Sequence, residues 1–222
     1  MEKTPYQPHV DVDPVVAPAP AVGRAPKGTE WRYGLPVLTG SVVRLRELRR
    51  ADAPALFAAL TTEEVPRFIS PPPPTVDGFE RFIAWTRNQR QAGQYVCFAV
   101  APKDSDVAIG LFQIRSLEPD FGTAEWGFAI ASEFWGTGAF VDAARMVIDF
   151  AFTTIGSHRL EARSATVNGR GNGALRKIGA MKEGVLRKSF LRNGEYFDQV
   201  LWTIVADDWM DAKATWGSPI IH

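Results

Sequence analysis

Between residues 123 and 152 an apolar strand-like run, two glycines and a long amphipathic stretch follow one another without interruption. "TAEWGFAIA" reads as a strand. Beyond Gly136 and Gly138, the residues Phe140, Ala143, Ala144, Val147, Ile148 and Ala151 recur at three- and four-residue steps. That is the stripe of a helix packed on a sheet, and it runs to about Phe152. Asp142, Arg145 and Asp149 take the opposite face, where Arg145 can pair with either acid. "HRLEARSATVN" then alternates Arg159, Glu161 and Arg163 against Leu160, Ala162 and Ser164, a strand with one charged face. Strand, helix and strand in this order predict a crossover unit, and few folds accommodate one beside hairpins.

The flanking sequence supplies those neighbouring strands. "SVVRLREL" alternates, and "RADAPALFAALTT" follows as a short helix with Leu56, Phe57 and Leu60 on one face. After the break at "ISPPPPT", "TVDGFERFIAWTRNQRQAG" resumes a helical period, with Phe79, Phe82, Ile83 and Trp85 as core candidates and Gly93 as its stop. "QYVCFAVA" and "VAIGLFQIRSLEP" are two strands joined by "PKDSD", and "GNGALRKIGA" is a short helix. "GVLRKSFLRNGEYFDQVLWTIVA" is a hairpin about Asn193-Gly194, which adopt positive φ readily. The expected fold is mixed α/β: a central, mostly antiparallel sheet with a β-α-β crossover. The expected domains are a Pro/Ala-rich arm over 1–40, a catalytic or binding domain over 41–212 and a tail over 213–222. The arm is read as solvated, although Val15, Val16, Trp31, Tyr33 and Leu35 leave open docking on this chain or on a partner subunit in a homodimer.

Composition narrows the function classes. The chain has 222 residues, 45% hydrophobic, with 25 basic and 25 acidic side chains. A zero formal net charge argues against a nucleic-acid binder. No apolar run approaches the roughly 20 residues of a bilayer span, and the N-terminus lacks the apolar core of a signal peptide. The single cysteine, Cys97, lies in a strand and reads as a buried structural thiol, in keeping with a reducing cytoplasmic setting.

The glycines need a reason, since glycine weakens a helix. A helix N-terminus presents N–H groups without internal partners and the positive end of its dipole, and glycines let a bulky anion reach them. "WGTGAF" is therefore either a phosphate cradle or a tight turn capped by Thr137. A P-loop would need a Lys-Ser/Thr pair that "GTGAFVDA" lacks. A dinucleotide loop would need a small residue at Val141 and an acid at Asn168, so nicotinamide-dinucleotide binding fits poorly.

The stretch "AEWGFAIASEFWGTGAFVDAARMVIDFAF", with "RLEARSATVNGRGNGALRKIGAMKEGVLRKSFLRNGEYFDQVLWTIVADDW" after it, resembles the GNAT N-acetyltransferase superfamily, and within it the ribosomal-protein-alanine acetyltransferase-like branch. The likeness covers about residues 40–210 and implies a GNAT-like fold with helices on both sheet faces. It also implies acetyl-CoA as cosubstrate. The N–H groups of Trp135, Gly136, Thr137, Gly138, Ala139 and Phe140 would hold its pyrophosphate, and Ile130 and Ala131 would line the pantetheine slot between two splayed strands. Asn168 would bond the cofactor's amides, although a strand-end cap is an equal reading. Arg170, Arg176 and Lys177 are candidates for a 3′-phosphate. Three departures stand out: Phe140 replaces a small residue, Gly171 replaces a serine, and Leu175 and Arg176 fall where relatives carry a tyrosine acid.

The implied reaction is direct attack of a primary amine on the acetyl thioester, with a strand N–H near Phe128–Ile130 stabilising the oxyanion. Glu125 is the candidate base by resemblance, with a salt-bridged structural carboxylate as the other reading. An α-amine of pKa near about 7.7–8.0 suits so sparsely equipped a site better than a lysine amine near about 10.4. The acceptor is a peptide or protein N-terminus or a small-molecule amine. "ISPPPPT", Phe68 and the hairpin at Asn193–Phe197 are expected to shape its pocket, and Asp198 either attracts a cationic amine or faces solvent. A non-catalytic acyl-CoA-binding module is the alternative.

Overall fold

In the computed structural model residues 30–216 are described. Residues 1–29 of the expected arm and 217–222 of the expected tail lie outside them. Eight strands form one sheet: β1 (Leu38–Thr39), β2 (Val43–Glu47), β3 (Tyr95–Pro102), β4 (Gly110–Ser116), β5 (Thr123–Ile130), β6 (Arg159–Ala165), β7 (Met181–Arg192) and β8 (Glu195–Val205). Their order is β1-β2-β3-β4-β5-β6-β8-β7. Every neighbour is antiparallel except β5 and β6, which are parallel, as a crossover through a helix requires.

Alternation along the strands builds two cores. Val96, Phe98, Phe112, Ile114, Trp126, Leu160 and Trp202 point to one face. There they meet α3 (Ala139–Phe150), α4 (Gly169–Lys177) and α5 (Ala206–Trp216). Tyr95, Cys97, Ala99 and Leu111 point to the other, against α1 (Ala53–Leu60) and α2 (Val76–Gln91). The stripe of α3 behaves as its spacing predicts, with Ala143, Ala144, Val147, Ile148 and Ala151 wholly buried. The helix ends in a π-helical turn over Ala151–Ile155, closed by Gly156. Cys97 is buried, which pushes its thiol well above the ordinary range. The hairpin turns at Asn193 and Gly194, both at positive φ, with β7 and β8 on either side.

One expectation about a helix face needs correction. Trp85 is 46% exposed, because it lies two residues past buried Ile83 and so about 200° round α2. It stacks on Phe82 and meets Tyr95 edge-on, while Thr86 and Arg90 complete the buried face. The two acids of α3 reach partners outside their own helix. Asp149 accepts from Lys213 and Trp209 and so ties down α5. Asp142 accepts from Ser41 N and Oγ and from the N–H groups of Val42 and Val43, joining the start of α3 to the turn before β2. Burial opposes the charge on Asp142, but these hydrogen bonds outweigh it and hold the carboxyl below its usual range.

Charge also enters the core from β2. Arg46, 3% exposed, grips Asp52 with two hydrogen bonds of 2.8 and 2.7 Å and reaches Asp106 in the turn between β3 and β4. Trp31 is also buried, edge-on to Phe121 at 5.5 Å.

Asp142→Ala strands the N–H groups of Ser41, Val42 and Val43, and urea unfolding is expected to show a loss of about 1–3 kcal/mol at neutral pH. The folded pKa is depressed, so the carboxylate's contribution is complete above the unfolded value of about 3.9 and is lost as pH falls through the folded value. The difference between wild type and variant should therefore close in acid.

Candidate active site

The three register pairs of β5 with β6 are Thr123 with Arg159, Ala124 with Leu160 and Glu125 with Glu161. Beyond them the strands part, while β5 stays on β4 and β6 stays on β8 to their ends. Gly110 helps keep β5 on the β4 side: a Cβ there would stand 2.3 Å from Ala129 O and 2.8 Å from Ile130 Cα. Ala131 N donates to Ile109 O at 2.8 Å, which fixes the alternation of the β5 backbone. Ala129 N–H therefore faces β4, and those of Phe128 and Ile130 face the slot. The indole N–H of Trp135 covers the carbonyl of Ile130 at 2.9 Å.

At the end of β5 the chain makes a short 3-10 turn, Ser132–Phe134, and then the glycine loop. Gly136 and Gly138 have φ of 80° and 92°. Gly138, not Thr137, is the N-cap of α3, and in its left-handed conformation it supplies no side-chain acceptor. Thr137 Oγ1 instead donates to Phe134 O at 2.8 Å and lies 3.4 Å from Ala139 N. No hydrogen bond among the described residues closes on the N–H groups of Gly136, Thr137, Gly138, Phe140 or Val141. The loop is thus an open row of donors at a helix N-terminus, with nothing within 4 Å of a Cβ placed on Gly136. Phe140 does not crowd it. Its ring turns onto the sheet, 4.5 Å from Phe128 and 6.0 Å from Phe112 between centroids.

Two cavities meet across the slot. The first, about 580 Å³, has Ile130, Trp135, Gly136, Gly138, Phe140, Asn168, Arg170 and Lys177 in its walls. Ala131, Thr137, Ala139 and Arg176 are not among those walls. Arg170 closes over the ring of Trp135, 4.1 Å from its centroid, linking α4 to the glycine loop. The second cavity, about 700 Å³, holds Glu125, Arg115, Tyr95, Arg163, Ser164 and Leu175, with Pro71, Pro72, Pro73 and Pro74 along one side. Phe68, Ile69, Phe128, Ala129, Asn168 and Gly171 belong to both, so the cavities join there.

Glu125 ion-pairs with Arg115, its cross-strand neighbour, through Oε2, and Oε1 carries no hydrogen bond among the described residues. Asn168 is the N-cap of α4: its Oδ1 accepts from Gly171 N at 2.9 Å. Only its amide hydrogens remain for a ligand. The proline run and Phe68 border the second cavity, but the hairpin tip at Asn193–Phe197 does not. Phe190 and Gln199 do, because β-bulges shift the register between β7 and β8. Asp198 accepts from Lys188 N at 2.8 Å within that hairpin.

Sequence reasoning missed Asn172. Buried in α4, it donates to the carbonyls of Ala165 and Asn168 and accepts from Trp202 Nε1 at 2.9 Å, which locks the helix beside the slot. An asparagine inside an otherwise polar helix gave no periodic signal.

The Acetyltransferase (GNAT) domain family matches residues 43–181. The chain belongs to this family. It is 28% identical over 175 residues to "Uncharacterized N-acetyltransferase YoaA" of Bacillus subtilis (strain 168), covering 77% of this chain and 97% of the relative. It is 23% identical over 137 residues to the [ribosomal protein uS5]-alanine N-acetyltransferase of Escherichia coli (strain K12), covering 61% and 71%. The solved structure of Mycobacterium smegmatis RimJ in complex with CoA-disulfide superposes with a TM-score of 0.72 at 21% identity, over 80% of this chain and 94% of that one. At that identity the superposition speaks to the fold. No helix among the described residues is long and apolar enough to cross a membrane.

Gly110→Ala tests what holds the slot of this GNAT domain open. The new Cβ meets backbone that cannot yield, so urea titration is expected to show a loss of about 1–3 kcal/mol as the end of β5 is displaced.

Proposed function

We propose that this GNAT domain transfers an acetyl group from acetyl-CoA to a primary amine by direct attack. The observation that carries the reading is the conjunction of an unpaired row of loop N–H groups with a slot bordered by unpaired strand edge. A diphosphate suits the first, and an extended amide-bearing arm suits the second. The loop N–H groups from Trp135 to Phe140 would bind the pyrophosphate, Ile130 and Ala131 would border the arm, and the Asn168 amide would donate to one of its carbonyls. Trp135 N already donates to Ser132 O, so its part there is secondary.

The thioester carbonyl would then fall where the two cavities join, within reach of the Phe128 N–H. Preorganised N–H donors of this kind stabilise a developing oxyanion by about 2.7–4 kcal/mol each. The amine would enter through the second cavity, past the proline run. Alignment of the two reactants supplies about 7–11 kcal/mol of effective-concentration advantage, which suits a site with few proton-transfer groups. Glu125, with Oε1 open, would take a proton from the incoming amine. An α-amine at a peptide N-terminus, or a small-molecule amine of low pKa, is the acceptor this equipment serves. The uS5-alanine enzyme among the relatives makes an alanine-initiated peptide the first acceptor to try.

Calorimetry with coenzyme A is expected to show one site per chain. Incubation with acetyl-CoA and a panel of alanine-initiated peptides, amino acids and polyamines should release free thiol with at least one acceptor. Binding without turnover on any acceptor would favour an acyl-CoA-binding module, and absence of binding would end the reading. Glu125→Gln is expected to lower the rate by about 100-fold and to remove the acidic limb of the pH profile. An unchanged limb and rate would exclude Glu125 as the base.

A further inference from the structure

Collapse of a tetrahedral adduct expels sulfur as a thiolate, and a donor beside it speeds that step. The position after Asn168 where the resemblance implies a serine is Gly171, and Leu175 and Arg176 fall where it implies a tyrosine. The hydroxyls in the walls of the second cavity are those of Ser70, Tyr95 and Ser164. Ser70 is exposed in the proline run. Tyr95 donates to Gln113 Oε1, and burial pushes its pKa up, away from acid duty.

Ser164 differs from both. It lies on β6 beyond the last pair with β5, is 5% exposed, and its Oγ is buried without any hydrogen-bond partner among the described residues. A buried hydroxyl left unsatisfied destabilises a fold, so its retention calls for a reason. Its position supplies one: a Cβ on Gly171 would lie 2.4 Å from Asn168 Nδ2 and 2.9 Å from Ser164 Oγ. The strand hydroxyl, with the Asn168 amide, thus takes the room that a serine at 171 would use. Across the slot, Trp126 on β5 also lines this cavity, and its buried indole N–H has no partner among the described residues. Ser157 Oγ is likewise unpartnered, but it lies outside both cavities.

We infer that Ser164 Oγ is the hydroxyl that escorts the departing sulfur, replacing from β6 a serine absent from α4. The inference rests on the acetyl-transfer reading above. As the nitrogen–carbon bond forms and the carbon–sulfur bond breaks, the Ser164 proton passes to sulfur. Oγ takes the proton released by the adduct nitrogen, so the hydroxyl ends the cycle as it began and coenzyme A leaves as a thiol.

The test compares wild type, Ser164→Ala, Ser164→Thr and the double variant Ser164→Ala/Gly171→Ser. The readouts are thiol release from acetyl-CoA with an acceptor the wild type uses, calorimetry with coenzyme A, and thermal unfolding. Ser164→Ala is expected to lower kcat about 10- to 100-fold, the loss of one hydrogen bond to a charged group. Coenzyme A affinity should stay within about twofold and Tm should hold or rise, because no partner is lost. The threonine and double variants, which keep or return a hydroxyl, should recover part of kcat. Unchanged kcat in Ser164→Ala would overturn the inference and leave acetyl transfer standing. A kcat loss accompanied by falling Tm and affinity would overturn it in favour of a packing role. Failure of the wild type itself to release thiol would overturn both readings together.

Discussion

The parting of β5 from β6 after three residue pairs is the constraint on which the rest of this molecule depends. A continuous ladder there would satisfy the strand edges and seal the sheet. Instead, β5 is held to β4 by full pairing and by the close approach that Gly110 alone permits, while β6 is held to β8. Each half of the sheet keeps its own register, and the gap between them leaves backbone donors facing a cavity. In a sheet interior such groups are almost always paired, so a gap of this kind persists only because the antiparallel neighbours on either side stabilise it.

Helix termini bring the rest of the chemistry to that gap, and polar locks set their positions. Asp142 ties α3 to the turn before β2, and Asn172 ties α4 to β6 and to Trp202 on β8. With both helices fixed, the glycine loop can leave its N–H groups open, Asn168 can cap α4 and still present its amide, and Arg170 can close over Trp135. Buried charge elsewhere is matched, as where Arg46 meets Asp52 and Asp106. The orphan groups of Ser164 and Trp126, by contrast, belong to residues that line the second cavity. An unsatisfied group beside a cavity is one whose hydrogen bonding a ligand can complete.

Much of the fold was legible in local pattern. The α3 stripe, the charged and apolar faces of β6 and the Asn193-Gly194 turn are periodicities of a few residues, and packing only reinforced them. What escaped notice depended on angles or on distant partners. Trp85 looked like a core residue until its position around α2 set it apart from Ile83. Phe140 stands where the resemblance implies a small residue, yet its ring swings onto Phe128 and Phe112, and no spacing rule reports that. Thr137 was a reasonable cap by composition. The left-handed conformation of Gly138 took the position instead.

Order along the chain settled the crossover and the glycine-opened helix, since both follow from the period of apolar residues and the conformational freedom of glycine. Tertiary structure decided where strands stop pairing, which acids find partners and which buried donors find none. Those outcomes depend on groups far apart in sequence. Ser164 shows the division: alternation alone places it on the inner face of β6, but only the folded chain leaves its hydroxyl without a partner at the edge of the slot.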